Sequence, residues 1–211
     1  MKHRGTLVVV SGFSGAGKGT LMKALVARYD NYALSVSMTT RAPRTGEQEG
    51  ISYFFVDREV FEKTIEEDGL VEYASYCGNY YGTPRKWVEE RLAEGKDVIL
   101  EIEIQGALKV KEKFPETLLL FVIPPSAAEL KRRLTDRGTE SEEVIQRRME
   151  RAVQESEGIE KYDYIIINDE LDKCVERMHA IIGMAHSRPA QNEEFIDRLR
   201  QELCALVKGE K

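Results

Sequence analysis

The sequence has 211 residues, with 31 lysines and arginines against 37 aspartates and glutamates, a formal net charge of −6, and 42% hydrophobic residues. A chain of this length can bury one full core without disulfides or a structural metal, and its acidic balance excludes a general nucleic-acid binder, whose footprint is a basic excess. Leu7 to Val10 is too short for a signal-peptide core and no apolar run approaches the ~20 residues of a membrane span, so neither export nor membrane insertion is expected.

The first apolar run, Thr6 to Ser11, reads as a buried strand. Glycines follow, and from Lys18 the positions Leu21, Met22, Leu25 and Val26 recur at helical spacing, so the chain opens as strand, glycine loop, helix. Residues 35–84 break this rhythm with hydroxyl and glycine clusters and short aromatic runs; a helix is predicted after Asp57, and the segment reads as an inserted subdomain. Pro84 suits the first turn of the next helix and Gly95 its C-terminal cap. Further strands are predicted at Val98 to Ile102, Leu118 to Ile123 and Tyr164 to Ile167; the unbroken apolar runs imply a parallel sheet covered by helices on both faces. Ser126 with Glu129 reads as a capping box opening a charged helical pair over residues 127–158, broken near Gly138. After Pro189, Phe195, Ile196, Leu199, Leu203 and Val207 fall at helical spacing, a tail expected to pack on the core or on a partner.

Cys77, Cys174 and Cys204 show no pairing or zinc spacing, which fits a reducing cytoplasm, and His3, His179 and His186 show no metal spacing. Chemistry concentrates instead in Gly12-Phe13-Ser14-Gly15-Ala16-Gly17-Lys18, a GxxxxGK phosphate-binding pattern between a strand and a helix. Backbone N–H groups there can wrap a phosphate while the Lys18 ammonium follows charge onto a transferring phosphoryl group. The next residue is Gly19, not the serine or threonine that would ligate magnesium. This GKGT form resembles the nucleoside monophosphate kinases, among them the adenylate kinases, and implies that ATP is held by residues 12–20, including Thr20, with Mg2+ carried by phosphates and water.

Three further blocks, SVSMTTRAPRTGEQEGISYFF from Ser35, VEYASYCGNYYGTP from Val71 and ILEIEIQGA from Ile99, are similar to the guanylate kinases. That resemblance, of the bacterial type, covers the chain to about Ser187. It implies an α/β fold of the phosphate-loop nucleoside monophosphate kinase class: a core (1–34, 85–126 and 159–211, including the helical tail), a GMP-binding insert (35–84) and a helical lid (127–158). The activity implied is phosphoryl transfer from ATP to GMP. By the same resemblance Arg41, Arg44, Tyr53 and Tyr81 hold the acceptor phosphate; Glu72, Ser37, Thr83 and Glu103 read guanine, Glu103 standing where the family usually has aspartate. The residue types suit this: arginine forks match phosphate oxygens, and one carboxylate can accept the adjacent N1–H and 2-amino donors of guanine.

Glu101 and Glu103 are expected on one strand face. Glu101 either orients magnesium-bound water or caps the helix that follows. Arg133, Arg137 and Arg148 match lid arginines, with Arg137 and Arg148 expected on ATP phosphates or the transition state; Asn168 and Asp169 resemble the adenine-edge site; and Arg132, Arg147 and Arg151 read as surface charge. A non-catalytic interaction module of the same scaffold and a kinase for another phosphorylated acceptor are the competing readings. The intact loop and arginines oppose the first, and Glu72, Ser37 and Thr83 the second. Neither tolerance of dGMP nor the choice between monomer and homo-oligomer follows from the sequence.

Overall fold

A computed structural model describes residues 4–136 and 141–208. The chain opens with β1 (Leu7–Gly12), α1 (Lys18–Arg28) and β2 (Tyr32–Leu34), then runs through the short strands β3 (Met38–Thr39) and β4 (Phe54–Phe55), α2 (Arg58–Glu66), β5 (Leu70–Tyr76) and β6 (Asn79–Pro84). It continues with α3 (Arg85–Ala93), β7 (Asp97–Glu101), α4 (Ile104–Lys113) and β8 (Leu118–Ile123). The helices α5 (Ala127–Thr135) and α6 (Glu142–Ser156), the strand β9 (Tyr164–Ile167), α7 (Leu171–Ala185) and α8 (Glu193–Lys208) complete it.

Five strands form a sheet in the order β2-β7-β1-β8-β9, every pair parallel. Alternation of side chains divides its core in two. Val8, Val10, Ile99, Leu118, Leu120 and Val122 face α1 and α7, which contribute Leu21, Leu25, Val175 and Met178. Leu7, Val9, Val98, Leu100, Leu119 and Phe121 face α3 and α4, which contribute Val88, Leu92, Ala107 and Val110. A second, mixed sheet in the order β4-β3-β6-β5 comes wholly from the segment between β2 and α3. Leu130, Leu134, Ile145 and Ala152 knit α5 to α6 in a third cluster, which Phe13 joins.

The α/β order and the parallel sheet are as the apolar runs imply, and several details differ. β2 passes unpredicted because a three-residue strand is too short to show a period. Pro84 precedes α3 as its N-cap instead of opening it, with φ −61 and ψ 121, because the ring disfavours nothing in that extended position. Gly95 does follow α3 with φ +84, the left-handed turn that ends a helix. At α5 only half of the capping box forms: Ser126 Oγ accepts from the Glu129 N–H at 3.1 Å, while the Glu129 carboxylate turns to Arg132 and Arg133. β9 is an edge strand, so only Ile166 is buried and Ile165 and Ile167 remain 46% and 42% exposed; helices do not cover both of its faces. The tail helix α8 has no buried residue, so its apolar stripe does not pack on the core. His179 stacks on Tyr29 at 3.7 Å and shares a 2.7 Å hydrogen bond with the Tyr32 hydroxyl, a packing role.

Candidate active site

The carboxyl ends of parallel strands are where such sheets bind ligands, and here the end of β1 turns directly into the glycine loop. Gly12 has φ +152, and a Cβ there would lie 2.2 Å from the Val122 carbonyl of β8. Gly15 and Gly17 have φ +91 and +90; a Cβ on them would meet Leu134 Cδ2 at 2.7 Å and Asn168 Nδ2 at 2.5 Å. These glycines therefore let the loop turn left-handed while α5 and the end of β9 close on it. Gly17 is the N-cap of α1, so the helix's first N–H groups open toward the loop.

Lys18 folds back to donate to the Gly12 carbonyl at 2.7 Å and the Phe13 carbonyl at 3.3 Å. Burial pushes its pKa down, and Glu101, Glu155 and Glu103 oppose that. A cleft of about 340 Å3 holds these groups together, lined by Gly12, Ser14, Lys18, Glu101 to Ile104, Arg151 and Glu155. β7 ends at Glu101, and Glu103 is the N-cap of α4, so the two acids do not share one strand as expected; the extended backbone between them still delivers both to this cleft.

The helical pair approaches the loop from α5 and α6. Arg133 donates to the Ala16 carbonyl at 3.2 Å and to the Asn168 carbonyl at 2.8 Å, and Arg148 donates to Ser14 Oγ at 3.1 Å. Arg137 lies outside the described residues. Arg132 is surface charge, paired to Glu129 and Asp136 on its own helix. Arg151 is exposed as well, and its side chain also lines the cleft and pairs with Glu103. Asn168 and Asp169, the pair expected at the adenine edge, follow directly on β9. The Asn168 amide donates to the Ala16 carbonyl at 2.7 Å, bracing the loop, and Asp169 Oδ1 accepts from the Glu170 N–H and the Cys174 thiol at the start of α7.

On the second sheet the predicted acceptor residues fall into two groups. Arg41 Nη2 pairs with Glu47 Oε1 at 2.8 Å beneath the rings of Tyr53 and Phe55, and Tyr53 meets Tyr81 edge-on at 6.0 Å. Glu47 Oε2 also accepts from the Arg44 N–H at 2.7 Å, which turns the exposed loop back on itself; hydrogen bonds from Arg41 and Arg44 hold the Glu47 carboxyl below its ordinary pKa. In the second group, buried Thr83 donates to Glu72 Oε1 at 2.8 Å. Met38 pairs with Gly82 in antiparallel register, so one step further places Ser37 opposite Thr83. Burial raises the Glu72 pKa, against the Thr83 hydrogen bond and the charge of Lys109.

The family model described as guanylate kinase matches residues 4–185. The chain is 51% identical over 200 residues to a guanylate kinase of Halalkalibacterium halodurans, spanning 95% of this chain and 97% of that one. It is 47% identical to one of Listeria innocua, spanning 98% and 100%. The chain belongs to the guanylate kinase family. A crystal structure of guanylate kinase from Anaplasma phagocytophilum superposes on this kinase with a TM-score of 0.68 at 34% identity, covering 90% of each chain.

For this kinase the sequence reading missed three things at the site. Glu155 goes unmarked in the sequence and Arg151 reads only as surface charge, because helical periodicity alone does not say which face of α6 turns to the cleft. Glu47 was legible, since it lies in the same block as Arg41 and Arg44. Phe13 packs against all three clusters and meets Phe121 edge-on at 5.3 Å, so it ties the loop to both faces of the sheet and to the helical pair.

Proposed function

We propose that this chain transfers the terminal phosphoryl group of ATP to GMP by direct in-line transfer, giving ADP and GDP, with residues 35–84 as the acceptor-binding insert and 127–158 as the lid. The acceptor assignment rests on the Thr83–Glu72 pair: a partly buried carboxylate, held by one hydroxyl and without a cationic partner in hydrogen-bond contact among the described residues, suits a purine edge that presents two adjacent donors. Adenine offers no such pair.

The acceptor phosphate is itself an anionic nucleophile, so no general base is required, and catalysis reduces to alignment and charge. Arg41 and Arg44, with the hydroxyls of Tyr53 and Tyr81, hold and orient that phosphate. Lys18 exchanges its loop carbonyls for the phosphates of ATP, and Arg148, beside Ser14, adds positive charge from the lid; Arg133 braces the loop backbone. No cluster of three or more His, Cys, Asp or Glu side chains that could hold a metal exists among the described residues, and together with Gly19 this supports an ion that keeps a water shell. Glu101 in the cleft, and the buried, unpartnered Oε2 of Glu155, are acceptors for such an ion's water shell. When bound, Mg2+ neutralises phosphate charge. Three free cysteines, and described helices none of which is long and apolar enough to cross a membrane, support a place in the cytoplasm.

The test is ADP formation from ATP and Mg2+ with GMP, dGMP, AMP, UMP and CMP in parallel. GMP is expected to dominate. Equal rates with AMP and GMP would refute the base pocket while leaving phosphoryl transfer standing.

A further inference from the structure

α6 brings to the nucleotide cleft a cation that none of the roles above uses. Arg151 Nη2 lies 2.5 Å from Glu103 Oε1, and its Nε lies 2.9 Å from Glu155 Oε1 on its own helix. All three side chains line the cleft that holds Lys18 and Glu101. Glu103 occupies the N-cap of α4, yet its carboxylate makes no bond to that helix. A short acid at an N-cap accepts from the helix's own first amides; the longer glutamate reaches across to α6 instead. The contact therefore joins the lid to the start of α4, and because a carboxylate has two oxygens, Oε2 remains available when Oε1 is engaged.

We infer that Arg151 is a positioning residue that, through Glu103, couples the lid to occupancy of the acceptor base site, so that ATP and GMP bind synergistically. This rests on the proposed place of Glu103 beside guanine. A base held at Oε2, directly or through water, fixes the glutamate rotamer with Oε1 aimed at α6. Arg151 then meets a partner already ordered, and the lid settles at lower entropic cost. Linkage makes the effect reciprocal: a settled lid favours GMP by the factor by which GMP favours ATP. Side-chain exposures of 48% and 73% make this a solvated pair, whose contribution has a ceiling of about fivefold in affinity.

Calorimetry on the full chain tests it, with a non-hydrolysable ATP analogue and Mg2+ titrated in the presence and absence of saturating GMP. GMP is expected to tighten the analogue by about two- to fivefold. That factor should vanish in Arg151→Ala and equally in Glu103→Asp, which keeps the charge and loses the reach. Arg151→Lys should keep part of it, and the double variant should lose no more than either single one. A native protein without synergy, or synergy intact in Arg151→Ala, would overturn the coupling. So would a fall in kcat of about a hundredfold in Arg151→Ala with synergy retained, since that marks a direct contact to the transferring phosphate. GMP binding no tighter than AMP would instead defeat the underlying base-site reading, and is read separately in the native protein.

Discussion

Replacing Thr83 with valine probes the proposed base pocket at a fully buried residue. Valine matches threonine in shape, and Thr83 is fully buried, so the change removes a donor without opening a cavity. What is lost is the 2.8 Å bond to Glu72, whose burial then lacks that compensation. A hydrogen bond to a charged group contributes about 1.5–3 kcal/mol, equivalent to a factor of about 10–150 in affinity if GMP binding feels all of it. The same energy lowers Tm by roughly 3–12 °C in a chain of this size. Because the Thr83 bond opposes the effect of burial on the Glu72 pKa, its removal lets that pKa rise further, and the deficit should widen from pH 8 to pH 7, both above the second ionisation of a phosphate near ~6. Steady-state kinetics with GMP varied at fixed ATP, and a thermal melt, measure both effects. The KM for GMP should rise with kcat and the KM for ATP little changed. A KM for GMP within twofold of the native value, together with an unchanged Tm, refutes the claim that Thr83 holds the guanine-reading carboxylate.

Lys18→Ala should remove about 3 kcal/mol or more of transition-state stabilisation, a loss of at least a hundredfold in kcat/KM by coupled assay; near-normal turnover contradicts the proposed chemistry. Glu72→Gln should weaken GMP binding yet stabilise the fold near neutral pH. The sign follows from the raised pKa: ionised Glu72 costs stability above its folded pKa and nothing below about 4.5, the ordinary value, so melts at pH 7 should favour glutamine and melts at pH 4 should not. Gly19→Ser should fold normally, because a Cβ at Gly19 meets nothing within 4 Å. If the hydroxyl adds a metal ligand, the magnesium dependence of turnover moves to lower concentration; an unmoved titration places the ion out of reach of α1.

Sequence and structure divide this protein along a physical line. The amino acids alone determined the phosphate loop, the parallel order of strands and the residue blocks shared with guanylate kinases, because glycine conformations, apolar periods and motif spacing are local along the chain. The family resemblance also nominated Arg41, Glu72 and Thr83 as the proposed partners of the acceptor. Only tertiary structure decided what those side chains touch: that Arg41 is preloaded against Glu47, that Thr83 holds Glu72, and that Asn168 braces the loop. Arg151 shows the reason most plainly. Its place on a helix is periodic and local, but its meeting with Glu103 spans 48 positions and depends on how α6 packs with α5 and Phe13 of the glycine loop.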